Sequence, residues 1–131
     1  MTPLIEAHAG DAVRIHVIGA NSEQNGMFGV EGHEWPIEPY MPGADMISVV
    51  EYAGSETLDV FLRGGAGGPY RQVGDFVWSN QRLPYTQSGQ WGYLRVLPAG
   101  DTRIQPLGAM GAAVKRAEIA PQPKATPTAM K

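Results

Sequence analysis

The chain has 131 residues, 43% hydrophobic and 18% charged, with 17 Gly, 11 Pro, no Cys and a formal charge of −3, enough for one compact domain of ordinary globular composition. The weak negative charge argues against a dedicated nucleic-acid binder, which needs clustered Lys and Arg to neutralise phosphates. Without cysteine there are no disulfides, thiolate nucleophiles, iron–sulfur clusters or cysteine-ligated zinc.

Frequent Gly and Pro suit many short strands better than a few long helices. The first residues, Met-Thr-Pro-Leu-Ile-Glu-Ala-His, lack the basic region and apolar core expected of a signal peptide. Leu4–Ala7 is a plausible first strand, and Gly10-Asp11 is a turn signal. Over Ala12–Ile18, Val13, Ile15 and Val17 share one face, while Arg14, His16 and Ile18 share the other, which predicts a half-buried strand. A polar loop over 19–26 follows, and Met27–Val30 resumes an extended apolar pattern. Asp45–Tyr52 reads as one β-branched strand. After the turn Ala53-Gly-Ser-Glu56, Leu58, Val60 and Leu62 alternate against Asp59, Phe61 and Arg63. Gly64–Pro69 reads as a flexible hairpin-type connection, because it lacks the Lys-Ser/Thr and following helix of a phosphate-binding loop. Asp75–Trp78 and Trp91–Leu97 complete about seven short strands, which predict an antiparallel sandwich or barrel. No amphipathic helix is expected within residues 1–99. Residues 111–119 could form one or two helical turns, and 121–131 is Pro-, Ala-, Thr- and Lys-rich. The division is a domain over 1–99 and an extended tail or linker over 100–131. No span is long and apolar enough for a transmembrane helix.

Two segments carry a more specific signal. The first is Asn25-Gly-Met-Phe-Gly-Val-Glu-Gly-His-Glu-Trp35, and the second runs from Gly74 through Trp91-Gly92 to Arg95-Val96. Together with the opening Gly10-Asp11-Ala-Val-Arg-Ile15, they resemble the cupredoxin-type domains of multicopper oxidases, over roughly residues 3–98. In that family one loop runs His-x-x-His-x-His-Gly-His. Anchored on Gly32-His33, its three copper-binding His positions fall on Gly26, Gly29 and Glu31. The family's second loop runs His-Cys-His, three residues, His, four residues, then Met or Leu before Trp-Gly. Anchored on Trp91-Gly92, the triplet falls on Ser79, Asn80 and Gln81, the later His on Tyr85 and the axial residue on Gln90. None of the eight positions keeps a strong copper ligand, and a blue-copper centre needs a Cys thiolate beside two His. The resemblance implies an all-β Greek-key sandwich or barrel with no metal of its own, and copper in the parent protein. It also implies other cupredoxin domains or subunits as partners, and a periplasmic or extracellular setting.

Other constellations are weaker. His8, His16 and His33 are the only imidazoles, and they read as separate surface or hydrogen-bonded residues rather than a metal site. His33-Glu34 does not begin a His-Glu-x-x-His motif, because Ile37 holds the last position. Ser22, Ser48, Ser55, Ser79 and Ser88 lie in no Gly-x-Ser-x-Gly setting. Glu31 and Glu34 could suggest a carboxylate pair, but carboxylates by an exposed loop are mostly solvated. Phe76 and Trp78 are expected to split between the two faces of their strand. Trp35 and Tyr85 lie in the two motif loops, where they replace lost volume or offer a contact surface; packing is the favoured role. Glu31 and His33 are candidate supporting groups for chemistry in a neighbouring domain. Three functions follow: a copper-free structural or interaction domain, an accessory part of a metal- or phenol-oxidising enzyme, or a free-standing ligand-binding sandwich.

Overall fold

The computed structural model describes residues 2–20 and 23–104. The helical turns predicted over 111–119, the Pro-rich stretch 121–131, most of the predicted tail and Ser22 lie outside the described residues. Among the described residues, nine strands and one short helix follow in chain order: β1 Leu4–His8, β2 Arg14–Ile18, β3 Gly26–Val30, β4 Trp35–Pro36, β5 Met46–Ile47, β6 Val49–Tyr52, β7 Thr57–Phe61, β8 Gly74–Asn80, α1 Leu83–Gln87 and β9 Trp91–Leu97.

A five-stranded sheet has the order β1-β9-β8-β3-β6, and β2-β7 and β4-β5 form two small sheets. β1 runs parallel to β9 with Leu4 opposite Tyr93 and His8 opposite Leu97, whereas the other pairs are antiparallel. The core lies between the large sheet and β2-β7. Phe28, Val30, Leu94 and Val96 contribute from one side, Val60 and Leu62 from the other, and Ile15 and Val17 pack onto them. The period-two pattern of β2 and β7 is what allows this, since one face of each is apolar. The chain is an all-β sandwich.

Four expectations need correction. Asp45–Tyr52 is not one strand: Ser48 interrupts it, so that β5 pairs with β4 while β6 pairs with β3. A short helix, α1, lies inside the second motif; it buries no residue, and Pro84 sits in its first turn where a missing N–H costs nothing. Phe76 and Trp78 do not split between faces: both pack on the same buried cluster, as residues two apart on a strand must. The segment Gly64–Pro69 is not an open flexible connection. Gly65 through Gly68 are buried, Ala66 N donates to Asp11 O at 2.8 Å, and Gln72 N donates to Gly67 O at 2.9 Å. At Gly67, φ is +81° and an added Cβ would lie 2.4 Å from Gln72 O, so only glycine fits.

Candidate functional site

β3 and β8 pair with Phe28 opposite Asn80, Gly29 opposite Ser79 and Val30 opposite Trp78. The two motif segments are therefore side by side. The pleat sorts the ligand-equivalent positions into two groups. Gly26 and Asn80 belong to the inner face, with Phe28 and Trp78. Gly29, Ser79 and Gln81 belong to the outer face, and Glu31 is exposed just beyond β3.

On the inner side, Asn80 organises everything around it. Its Oδ1 accepts from Met27 N at 3.2 Å and from Arg82 N at 3.1 Å. Its Nδ2 donates to Gln90 Oε1 at 3.0 Å and to Tyr52 Oη at 3.4 Å. Its main chain is also used, because Asn80 N donates to Gln90 O at 2.9 Å and Thr86 Oγ1 donates to Asn80 O. The bond from Arg82 N two residues on is an Asx turn, and it starts α1 in place of a side-chain N-cap at Arg82. Gln90 N then donates to Tyr85 O at 3.0 Å, closing the loop that carries Tyr85. The space a side chain at Gly26 would need is taken: an added Cβ would lie 2.2 Å from Tyr52 Cζ. Tyr52 is the register partner of Gly26 on β6. Tyr52, Asn80, Tyr85 and Gln90 together line an open cavity of about 440 Å³.

On the outer side, an added Cβ at Gly29 would lie 2.8 Å from Gln81 Nε2, and the same amide donates to Ser79 Oγ at 3.1 Å. Glu31 N donates to Val77 O at 2.8 Å, but among the described residues no hydrogen bond or ion pair reaches its carboxylate. The Arg82 guanidinium lies over the Tyr85 ring, 5.7 Å from its centroid.

His33 and Trp35 are not surface residues. His33 is 3% exposed; its Nδ1 donates to Glu31 O at 2.8 Å, Gly67 N donates to its Nε2 at 3.0 Å, and its ring meets the Phe76 ring edge-on at 4.8 Å. Both ring nitrogens are spent on main-chain groups, which fixes the neutral tautomer with the proton on Nδ1. Trp35 is 2% exposed and packs against Phe28, so it offers no platform beside Tyr85.

The other two histidines have separate partners. His8 Nε2 donates to Asp101 O at 2.7 Å, and its Nδ1 lies 3.3 Å from Asp11 Oδ2. The Asp101 carbonyl, aided by the Asp11 carboxylate, holds the His8 pKa above its ordinary value. The Arg103 guanidinium and N–H hold Asp101 down at about 2. His16 Nδ1 lies 2.5 Å from Asp59 Oδ1 across β2 and β7. Arg14 also reaches Asp59, at 2.6 Å, and lowers its pKa. Among the described residues, no group of three or more His, Cys, Asp and Glu is placed to hold a metal ion.

The sequence reading named Gly26, Asn80, Tyr85 and Gln90 of the inner group but neither Tyr52 nor Thr86, and it missed the role of Gln81 as filler for Gly29. The signal for Tyr52 lies in the β3–β6 register, which local patterning does not reveal.

No protein-family model matches the chain, and no curated protein matches it. Solved structures do match. A crystal structure of a multicopper oxidase is similar at TM-score 0.58 and 16% identity, over 71% of this chain and 32% of that one. The multicopper oxidase mgLAC is similar at TM-score 0.60 and 16% identity, over 79% of this chain and 34% of that one. The chain therefore spans about a third of the length of these two structures. At that identity the likeness is one of fold: the chain is a cupredoxin-like domain resembling those of multicopper oxidases.

Proposed function

We propose that this chain is a copper-free cupredoxin domain with a structural and interaction role in a multicopper-oxidase-like protein or assembly. Asn80 carries the reading. It stands where the family places its thiolate, and both of its side-chain polar atoms are already hydrogen-bonded within the fold. Around it, Gly26 has no side chain, and Tyr85 and Gln90 offer a phenol and a neutral amide. Copper of this kind selects thiolate and imidazole, so these residues do not fit the ion. The outer group does not fit it either, since Gln81 and Ser79 bond each other and Glu31 is a single carboxylate. Copper in the larger protein would be held by other domains.

An interaction role draws support from the excursion between β4 and β5. Ile37, Tyr40, Met41 and Met46 are 57%, 75%, 58% and 44% exposed there, more apolar surface in one short segment than scattered residues would give. The partners would be neighbouring cupredoxin domains or subunits. The test is to load the purified chain with Cu(I) and Cu(II), dialyse it, and measure metal content and melting temperature. The expected result is no stoichiometric copper, no strong visible absorption and no upward shift in melting. One tightly held copper per chain would contradict the proposal.

Among the described residues the Glu31 carboxylate has no partner, which favours a second reading, in which the domain lends that group to a metal or substrate site across an interface. Glu31→Gln in the complete protein should then lower turnover with the fold unchanged. Unaltered turnover removes this reading and leaves the first intact.

A further inference from the structure

The β4–β5 excursion encloses an open groove of about 290 Å³ against β6 and β7. Ile37, Pro39 and Tyr40 line it from the excursion, Val50 from β6 and Leu58 from β7. The excursion is held by its own bonds. Ile37 N donates to Asp45 O at 2.9 Å, Met41 N to Glu38 O at 3.1 Å and Ala44 N to Met41 O at 3.2 Å. Tyr40 Oη donates to Asp59 Oδ2 at 3.2 Å, and its ring meets Phe61 edge-on at 5.7 Å.

Charge says what would enter. Residues 15–62, which supply every wall of the groove, contain eight Asp and Glu but no Lys or Arg. Glu38 and Asp45 stand near the two ends of the excursion, and neither has an ion pair among the described residues. The complementary charge lies in the same chain beyond Ile104. Residues 105–131 hold all three lysines and Arg116 against a single acid, Glu118. There the pair Lys115-Arg116 stands between the apolar residues Val114 and Ile119. Reach is ample. Asp101 is tied to His8 on β1, and the outer strands of a five-stranded sheet lie roughly 20 Å apart. The 27 residues after Ile104 can span about 90 Å when extended. Tethering also raises the effective concentration of such a segment towards the millimolar range, so a weak contact suffices.

We propose that the chain's own segment Leu107–Ile119 docks in this groove in cis, with Val114 on the apolar walls and Lys115 and Arg116 against Glu38 and Asp45. The inference rests on the interaction role given to the excursion and names an occupant for its inner side; Met41 and Met46 lie outside the groove lining and stay available to a neighbouring domain. Its failure with the copper test passed removes the inference alone. The chain has no Cys, so Ala117→Cys gives a single attachment point for a nitroxide in the full chain. Isoleucine methyl resonances are compared before and after reduction of the label. Ile37 should lose most of its intensity. Ile5 should keep most of its own, because β1 is at the far edge of the large sheet from β6. Glu38→Lys with Asp45→Lys should restore Ile37, with the unchanged Ile5 and Ile15 resonances confirming the fold. Adding Lys115→Glu and Arg116→Glu to that pair should quench Ile37 again. Salt at about 1 M, where charges act over only about 3 Å, should weaken the quenching without any substitution. Equal quenching at Ile37 and Ile5, or none at either, overturns the proposal, as does quenching that survives both the charge reversal and the salt. An isotope-labelled chain without nitroxide, quenched at Ile37 by an unlabelled chain that carries it, would put a second copy in the groove and overturn docking in cis.

Discussion

At Asn80 one side chain ties two loops together. Four N–H groups converge on or leave its amide, and each would otherwise face a partly buried site without a partner. Asn80→Leu keeps the volume and removes every one of these bonds. Each buried polar group left unpaired costs about 1–3 kcal/mol, so the variant should lose at least about 2 kcal/mol of stability. The measurement is urea unfolding, where the midpoint should fall while the slope stays constant. A midpoint within error of the parent would mean that the loops hold together without the amide. Gly26 and Tyr52 are complementary in the same way: the ring occupies the room that the missing side chain leaves.

His33 does at the scale of elements what Asn80 does at the scale of residues. It joins the turn between β3 and β4 to the buried glycine loop before β8, using one ring nitrogen for each. His33→Ala should leave the Gly67 N–H buried without a partner and cost about 1–3 kcal/mol. Native-state amide exchange should rise at Gly67 far more than at Leu94 in the centre of the large sheet. Equal protection at both amides in the variant would mean that the loop is held by its own backbone bonds. The elements differ in how readable they are. β2 and β7 each alternate over five residues with Ile15 and Val17, and Leu58 and Val60, on one face, so their patterns announce them. β4 and β5 have two residues each, too few for any period, and Trp35 enters the core through this small pair. α1 is also below the length at which a 3.6-residue repeat can be seen. The glycine loop reads as open chain because glycine carries no apolar signal, and its burial comes from backbone bonds to Asp11 and Gln72. The motif spacing, by contrast, named eight positions, all of which lie on the β3–β8 pair or in the segments that continue directly from it; Glu31, next after β3, bonds Val77 through its main chain, and its carboxylate has no partner among the described residues.

For the whole molecule, acid and base act on opposite sides of a stable window. The folded pKa of His8 is raised, so its contribution is fully present below its ordinary value of 6.5 and is lost as pH rises through the folded value. Asp101 is lowered from 3.8 to about 2, so its contribution is present above 3.8 and is lost as pH falls through about 2. Both are present together between 3.8 and 6.5. Melting temperature should therefore decline as pH rises above 6.5, and His8→Gln should flatten that decline. An NMR titration of His8 giving a value at or below 6.5 would sink this account. The parallel pairing of β1 with β9 sets Leu4 beside Tyr93 and His8 beside Leu97, with Asp101 tied to His8, so residues 4 and 101 stand at opposite ends of the strand pair, roughly 17 Å apart for a five-residue strand. A pull between these two residues would load the pair in shear, along the whole row of bonds at once.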